Sequence, residues 1–278
     1  MAEVDAGGVR LFWTEEGSGP PFIVLHGGLG FDHTYLKHSF HVLADVMRLV
    51  YVDQRGNGRS ERVPLETITI AQLAADVDAF ADAIGLERFG LIGHSYGGFV
   101  ALEYATTYPG RVTHLICNDT SPGAFQPSEA ELAARPDPSW ITPEVENAMR
   151  FLTRPFPTDP EVMRAAFPEV APVYMRGSTA PLLASTAGMI FEPSVSAHSM
   201  AVALPGWSVA DKLDRITAAT LVACGRYDLL TTPECSVRLA SAIRDAELVW
   251  FENSAHFPEL EEPDAFFGAI RDWLRRHP

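Results

Sequence analysis

The sequence predicts an α/β fold in which a mostly parallel sheet carries helices on both of its faces. Six short apolar runs of strand length each end at glycine or at polar residues, which is typical of buried strands. Stretches with helical spacing of apolar residues separate these runs, and strand alternating with helix indicates a parallel sheet. The alternation is interrupted once, after the run VTHLICNDTSPG, where the sequence predicts an inserted helical cap. This run is the sixth strand when the two strands of an opening hairpin are counted.

The predicted strands follow an opening hairpin whose strand VRLFWTEEG ends at Gly17. The six later strands are predicted in the runs FIVLHGG, RLVYVDQRG, RFGLIGHSYGG, VTHLICNDTSPG, ATLVACGRYD and AELVWFENS. Helices are predicted at 35–44, 70–84, 98–107, 233–243 and 263–275. In the second, Ile70, Leu73 and Val77 fall at steps of three and four, and Gly85 is placed to end the helix.

These elements divide the chain into a core of residues 1–121 and 207–278 and a cap of residues 122–206. Methionine is concentrated in the cap, and this leaves two interpretations open. The residues could form a small helical core of their own, or an adaptable apolar face over a substrate pocket. The cap methionines are Met149, Met163, Met175, Met189 and Met200.

Composition excludes several classes of partner. The chain has 36 acidic and 21 basic side chains and a formal charge of −15, which repels nucleic acid and anionic lipid surfaces. It has no apolar stretch of about 18 residues, and its first residues lack a basic start and apolar run. We therefore expect a soluble, cytoplasmic protein that acts on a small molecule, with no nucleic-acid or membrane partner.

Cysteine usage argues against a disulfide framework and against a thiolate metal site. Cys117, Cys224 and Cys235 are an odd number and show no C-x-x-C spacing. Free cysteine usually behaves as a small buried hydrophobe, and that is the prediction for these three.

The clearest catalytic motif is Gly93-His94-Ser95-Tyr96-Gly97. It has the G-x-S-x-G pattern and stands directly after a predicted strand and directly before a predicted helix. Glycines are needed beside the serine because the turn packs tightly against neighbouring backbone. The pattern predicts Ser95 as a nucleophile.

A serine nucleophile requires a base and a carboxylate that orients the base. His256 lies just past the last predicted strand, where a loop can bring it to the carboxyl edge of the sheet. Two aspartates follow strands at that edge, Asp119 and Asp228. Asp228 is preferred because it gives the chain order serine, aspartate, histidine, and Asp119 remains the alternative acid.

The oxyanion of the tetrahedral intermediate needs two backbone N–H donors. The sequence predicts that Tyr96, at the start of the helix after the nucleophile, supplies one. Gly28, in the turn leaving the first parallel strand, is predicted to supply the other. No metal or organic cofactor is expected for this chemistry.

The glycine-rich loop at 53–60, DQRGNGRS, superficially resembles a phosphate-binding loop. It lacks the Gly-Lys-Ser/Thr ending of a P-loop and precedes no immediate helix. We interpret it as a loop held by hydrogen bonds of its Asp and Arg side chains beside the active site. His26 and His94 are likewise interpreted as structural.

Five segments together resemble the α/β-hydrolase superfamily and, within it, the proline iminopeptidase group. They are HGGLG at 26–30, DQRGNGRS at 53–60, GHSYGG at 93–98, GRYDLLTTPE at 225–234 and NSAHFPELEEP at 253–263. The resemblance implies a triad of Ser95, Asp228 and His256 and oxyanion donors at Gly28 and Tyr96.

The resemblance also implies glutamates in the cap that hold a substrate ammonium. No cap residue is matched to that role, although five glutamates are available: Glu144, Glu146, Glu161, Glu169 and Glu192.

The sequence therefore predicts a serine hydrolase that works through an acyl-enzyme, most similar to a proline iminopeptidase-type aminopeptidase. A carboxylesterase or lactonase acting on small esters is the alternative. A ligand-binding receptor that keeps a hydrolase-like site is a third interpretation. Dehalogenases and epoxide hydrolases fit less well, because both require a carboxylate at the position of Ser95.

Overall fold

The computed structural model of the chain describes residues 2–28, 30–123, 129, 138–154 and 157–278. Its eight-stranded sheet has the order β1-β2-β4-β3-β5-β6-β7-β8. Two antiparallel pairings at one edge, β1 with β2 and β2 with β4, precede the parallel part, which runs from β4 to β8. The strands are β1 (Ala2–Asp5), β2 (Arg10–Glu16), β3 (Pro21–Leu25), β4 (Arg48–Val52), β5 (Phe89–His94), β6 (Val112–Asn118), β7 (Ala219–Gly225) and β8 (Glu247–Phe251).

Five of the six described helices of the sheet region lie where the sequence predicts helices, and the short helix that follows His256 was not predicted. The six helices are α1 (Thr34–Phe40), α2 (Ile70–Ala83), α3 (Tyr96–Thr107), α8 (Pro233–Ala242), α9 (Pro258–Glu261) and α10 (Pro263–Arg276). The predicted helix at 35–44 ends earlier as an α-helix and continues as a 3-10 turn over His41–Leu43. The helix predicted to begin at Gly98 already begins at Tyr96, directly after Ser95.

Side chains of the central strands alternate between two hydrophobic cores, one on each face of the sheet. In β3, Ile23 and Leu25 join a core that includes α2 and α3, whereas Phe22 and Val24 join a core that includes α1 and α10. This alternation follows from the two-residue period of a strand. The prediction of a mostly parallel sheet covered on both faces is confirmed.

The insertion after β6 is helical in its described residues, as predicted. It contains α4 (Pro143–Leu152), α5 (Pro160–Val170), α6 (Ala180–Ser185) and α7 (Pro193–His198), and a π-helical turn follows over Ser199–Ala203. Ala148, Val170 and Val173 form a small hydrophobic cluster of their own in this region. The division at residues 121/122 and 206/207 stays a prediction.

Two further findings concern the whole described chain. Cys117, Cys224 and Cys235 are free and buried, which confirms the interpretation of the cysteines. None of the helices in the described residues combines the length and the apolar character that crossing a bilayer requires.

Candidate active site

Ser95 occupies a sharp turn between β5 and α3. Its backbone angles are φ 53° and ψ −120°, in a region that residues with a side chain rarely adopt. The turn is held by hydrogen bonds from Ser95 N to Asn118 O at 3.0 Å and from Thr120 Oγ1 to Ser95 O at 2.7 Å. A side chain at Gly97 would collide with the carbonyl oxygens of Leu25 and His26, so the turn requires glycine there. The predicted strand–turn–helix context of Ser95 is therefore present.

The structure brings His256 and Asp228 together behind the serine turn. His256 Nδ1 lies 2.8 Å from Asp228 Oδ2, and both side chains are almost completely buried. With Nδ1 donating to this carboxylate, Nε2 is left free of a proton and can accept one from a hydroxyl. His256 and Ser95 both line one cavity.

Asp228 accepts four hydrogen bonds from the part of the chain that the structure describes. Besides His256, the carboxylate accepts from Leu230 N at 2.8 Å, Thr231 N at 3.2 Å and Thr231 Oγ1 at 2.8 Å. Burial by itself would raise the pKa of Asp228, but the charge and hydrogen bond of His256, together with these donors, lower it. This arrangement favours the ionised form of Asp228, which is the form that can stabilise a positive charge on the neighbouring ring.

Gly28 and Tyr96 both line the cavity beside Ser95, as the predicted oxyanion role of their N–H groups requires. Gly28 has φ 58°, and a Cβ there would meet the ring of Phe31, so the turn favours glycine. Tyr96 is the first residue of α3, where the backbone N–H has no partner within the helix. Leu29, the fourth residue of the segment HGGLG, lies outside the described residues.

The cavity above Ser95 has a volume of about 290 Å³. Its wall includes the apolar side chains of Phe31, Phe99, Leu152, Met163, Met200, Leu204, Leu230 and Phe257. Polar atoms come from Ser196, Ser199, Thr231, three tyrosines and two histidines, and none of the described wall residues is Asp, Glu, Lys or Arg. The site is therefore suited to an uncharged, mostly apolar group.

The cap methionines lie in different settings, and none of them belongs to the small cluster that Ala148, Val170 and Val173 form. Met163 and Met200 line the cavity, as a lid would require. Met175 and Met189 are buried in the core below α1 and α10, and Met149 is 40% exposed on the surface. Spacing alone could not separate these cases, because every cap helix presents apolar residues to some partner.

His26 and His94 are engaged in structural hydrogen bonds. His26 Nε2 accepts from Gln54 N at 3.1 Å, and His94 Nε2 donates to His256 O at 3.0 Å. Burial, followed by the neighbouring His256, lowers the pKa of His94 to about 3. Both rings therefore position the chain around the site, as interpreted from the sequence.

The loop at 53–60 is held by its own Asp and Arg side chains, as predicted. Asp53 accepts from His33 N at 3.0 Å and from Arg59 N at 2.9 Å, and Arg59 Nη1 donates to Asp32 Oδ2 at 2.9 Å. Gly30 N donates to Asn57 Oδ1 at 2.6 Å, which joins this loop to the turn that carries Gly28.

The cap glutamates considered for an ammonium site do not line the described cavity. Four of them are exposed: Glu144, Glu146, Glu161 and Glu169. Glu192 is half-buried and forms an ion pair with Arg62, while its backbone N–H donates to Gly30 O at 2.7 Å. Glu192 therefore ties the cap to the core.

Sequence reasoning missed two contacts that shape the site. His256 N donates to Tyr174 O of the cap at 2.9 Å, so the cap helps to place the histidine. Glu259 is completely buried and accepts from Asn118 Nδ2 at 3.1 Å. Glu259 lies in the segment NSAHFPELEEP, and this position was a weak indication that it belongs near the site. Its hydrogen-bond partner Asn118 is 141 residues away in the chain, so the sequence could not identify it.

Glu259 makes stability depend on pH. Burial raises the pKa of Glu259 from 4.5 to about 7, so the folded chain retains a proton that the unfolded chain loses. The stabilisation is present below the unfolded pKa and is lost as pH rises through about 7, a change of about 3 kcal/mol. We expect Glu259→Gln, which keeps an acceptor for Asn118, to gain about that much stability over the wild type between about pH 5 and about pH 8. Denaturant unfolding measures it, and parallel pH curves for the two proteins would contradict the prediction.

Asp119, Asp228 and His256 each place one possible metal-ligand atom within 4.8 Å of the others. His256 Nδ1 is already engaged with Asp228, and Asp228 accepts four hydrogen bonds. The arrangement therefore fits a hydrogen-bonded acid–base pair better than a ligand set.

Residues 20–263 match the family model described as the alpha/beta hydrolase fold. The chain is 32% identical to the proline iminopeptidase PfmaB of Pestalotiopsis fici. The aligned region of 267 residues covers 92% of each of the two chains. Est816, a solved structure described as an N-acyl homoserine lactone degrading enzyme, is 26% identical, with a TM-score of 0.69 over 98% of this chain and 99% of that one. A thermophilic esterase from Thermogutta terrifontis shares the fold, with a TM-score of 0.76 at 24% identity over 100% and 99%.

The family match spans the whole parallel sheet, the serine turn and the loop of His256, and the similar proteins cover nearly the full chain. By its sequence and its fold, this chain belongs to the α/β hydrolase fold family of enzymes.

Proposed function

We propose that the chain is a serine hydrolase that cleaves small, uncharged esters or lactones with a mostly apolar acyl group. In this proposal Ser95 attacks the carbonyl, His256 takes the hydroxyl proton, and Asp228 holds the imidazole in the required tautomer. The N–H groups of Gly28 and Tyr96 stabilise the oxyanion. His256 then donates the proton to the leaving alcohol, and water repeats the sequence on the acyl-enzyme.

The observation that carries the proposal is the wall of the cavity. Its described side chains are apolar or neutral, so a charged substrate group would lose its hydration without gaining an opposite charge. Tyr96 and Ser199 are buried wall residues whose hydroxyl groups interact with each other. These hydroxyls could bind a neutral oxygen of the substrate.

A proline iminopeptidase-type activity is the second candidate, supported by the 32% identity to PfmaB. It requires a group that compensates the free ammonium of the substrate, and a carboxylate is the usual partner for a buried cation. Among the described residues, the cap glutamates either are exposed or, for Glu192, pair with Arg62. The wall chemistry therefore favours the ester over the amine-bearing substrate.

A matched pair of methyl esters separates the two candidates. Methyl cyclopentanecarboxylate and proline methyl ester have the same leaving group and ring size, and differ by a charged nitrogen when the amine is protonated. We expect kcat/KM to favour the uncharged ester by about tenfold or more, because the cavity offers no described counter-charge. Titration of released acid measures both rates.

Preference for proline methyl ester, lost when its nitrogen is acetylated, would instead support the aminopeptidase. Labelling of Ser95 by a fluorophosphonate would show that the serine is activated. In a separate, unlabelled sample, turnover of p-nitrophenyl butanoate through many cycles distinguishes an enzyme from a slow receptor.

A further inference from the structure

A second carboxyl, Asp119, lies beside the triad and has no part in the mechanism above. It follows β6 directly and is completely buried, with φ 41°. Asp119 Oδ1 accepts from Gly225 N at 2.9 Å, which ties it to the end of β7. Asp119 was the alternative acid from the sequence, but His256 bonds to Asp228 instead.

The other oxygen of Asp119 faces an unusual environment. Among the described residues, no hydrogen-bond donor lies within reach of Asp119 Oδ2. One carboxylate oxygen each of Asp119 and Asp228 and one ring nitrogen of His256 lie within 4.8 Å of one another. Two buried carboxylates at this separation cannot both ionise without a large cost in free energy.

The hydrogen bonds decide which carboxyl keeps its charge. Asp228 accepts four hydrogen bonds, including one from His256, whereas Asp119 accepts one. Charge is stabilised where donors converge, so the proton belongs on Asp119. A proton on Oδ2 also supplies the missing partner of that oxygen.

We propose that Asp119 is a positioning residue that stays protonated and donates a hydrogen bond from Oδ2 to the carboxylate of Asp228. This bond holds Asp228 in place for His256 and adds no second negative charge to the site. The proposal builds on the assignment of Asp228 and His256 as partners of Ser95.

The remaining groups around Asp119 agree with a neutral carboxyl. Burial and then the negative charge of Asp228 raise the pKa of Asp119 well above its usual range, and Glu259 acts in the same direction. Burial raises the pKa of Cys224 on β7, so that thiol stays neutral. His256 is the one basic side chain among the described groups that act on Asp119 or form its cluster, and its Nδ1 already donates to Asp228.

Two substitutions test the proposal without disturbing the backbone at Asp119. Asparagine tolerates positive φ, keeps an acceptor for Gly225 N and offers an N–H to Asp228. Glycine also tolerates this φ but removes both groups. We expect Asp119→Asn to keep kcat/KM within about threefold of the wild type. In a plot of kcat/KM against pH, the midpoint of the fall on the acid side, called the acid limb below, should move by less than about 0.3 pH unit.

Asp119→Gly should lower kcat by about tenfold, since Asp228 loses a hydrogen-bond donor that holds it in place. The acid limb should move to higher pH, because the carboxylate of Asp228 then stabilises a proton on His256 more strongly. A downward shift of more than about one pH unit in Asp119→Asn would show that a negative charge had been removed, and would overturn the proposal. An unchanged acid limb in Asp119→Gly, with only thermal stability lowered, would overturn the positioning role.

Infrared difference spectra give a readout that needs no substrate. At neutral pH, wild type minus Asp119→Asn should contain the C=O stretch of a protonated carboxyl, and that feature should persist in a Glu259→Gln background. Carboxylate bands in its place would refute the proposal. Because this measurement is independent of turnover, it distinguishes failure here from failure of the proposed ester hydrolysis.

Discussion

Replacement of Ser95 by alanine is expected to lower kcat for p-nitrophenyl butanoate by about 10⁵- to 10⁶-fold. The variant has no hydroxyl from which His256 can take a proton, so no acyl-enzyme forms. Residual turnover would come only from water bound in the cavity near the oxyanion donors. Release of p-nitrophenol, measured against a blank without enzyme, gives the rate.

The Ser95→Ala variant should stay folded. Alanine has the same Cβ as serine at φ 53°, so the strain of the turn is unchanged, and the melting temperature should move by only a few degrees. Loss of fluorophosphonate labelling in the variant serves as a second control. An activity above about one hundredth of the wild type would contradict a nucleophilic role for Ser95.

The parts of the site that follow directly on a strand could be predicted from the sequence. Ser95 comes immediately after β5, and Asp119 and Asp228 come soon after β6 and β7, so the parallel order β5-β6-β7-β8 brings these positions to one edge. Of the two glycines beside the serine, Gly93 has a local cause, because a Cβ there would meet the backbone of Gly97 and Gly98 within the turn. A Cβ at Gly97 would instead meet carbonyl oxygens at the end of β3, a contact between distant segments. Local pattern and fold class were therefore sufficient to place both aspartates at the same edge as Ser95, and the choice of Asp228 as the orienting acid stays a prediction.

Contacts between distant segments could not be predicted in the same way. The hydrogen bond from Asn118 to Glu259 depends on how far the loop after β8 reaches back over β6. The contact of Tyr174 O with His256 N depends on where the cap settles. Neither distance is encoded by hydrophobic periodicity, because periodicity fixes which face of an element is buried and not which residue it meets.

Replacement of Asp228 by asparagine is expected to lower kcat by about 10⁴-fold. The asparagine amide can donate to His256 Nδ1, and this stabilises the tautomer with a proton on Nε2. That proton prevents Nε2 from accepting the hydroxyl proton of Ser95. The loss should therefore appear in kcat, with little change in KM, and steady-state kinetics with p-nitrophenyl butanoate measures it.

Two comparisons make this prediction specific. Glu252→Gln removes an exposed carboxylate that pairs with Arg226 near the same loop, so it should leave kcat unchanged. Asp119→Asn removes the other carboxyl beside His256. If Asp119→Asn lowered kcat by about 10⁴-fold while Asp228→Asn kept most of the activity, Asp119 would be the orienting acid. That outcome would require His256 to exchange its 2.8 Å contact with Asp228 for one with Asp119, against the four hydrogen bonds that hold Asp228 as the anion.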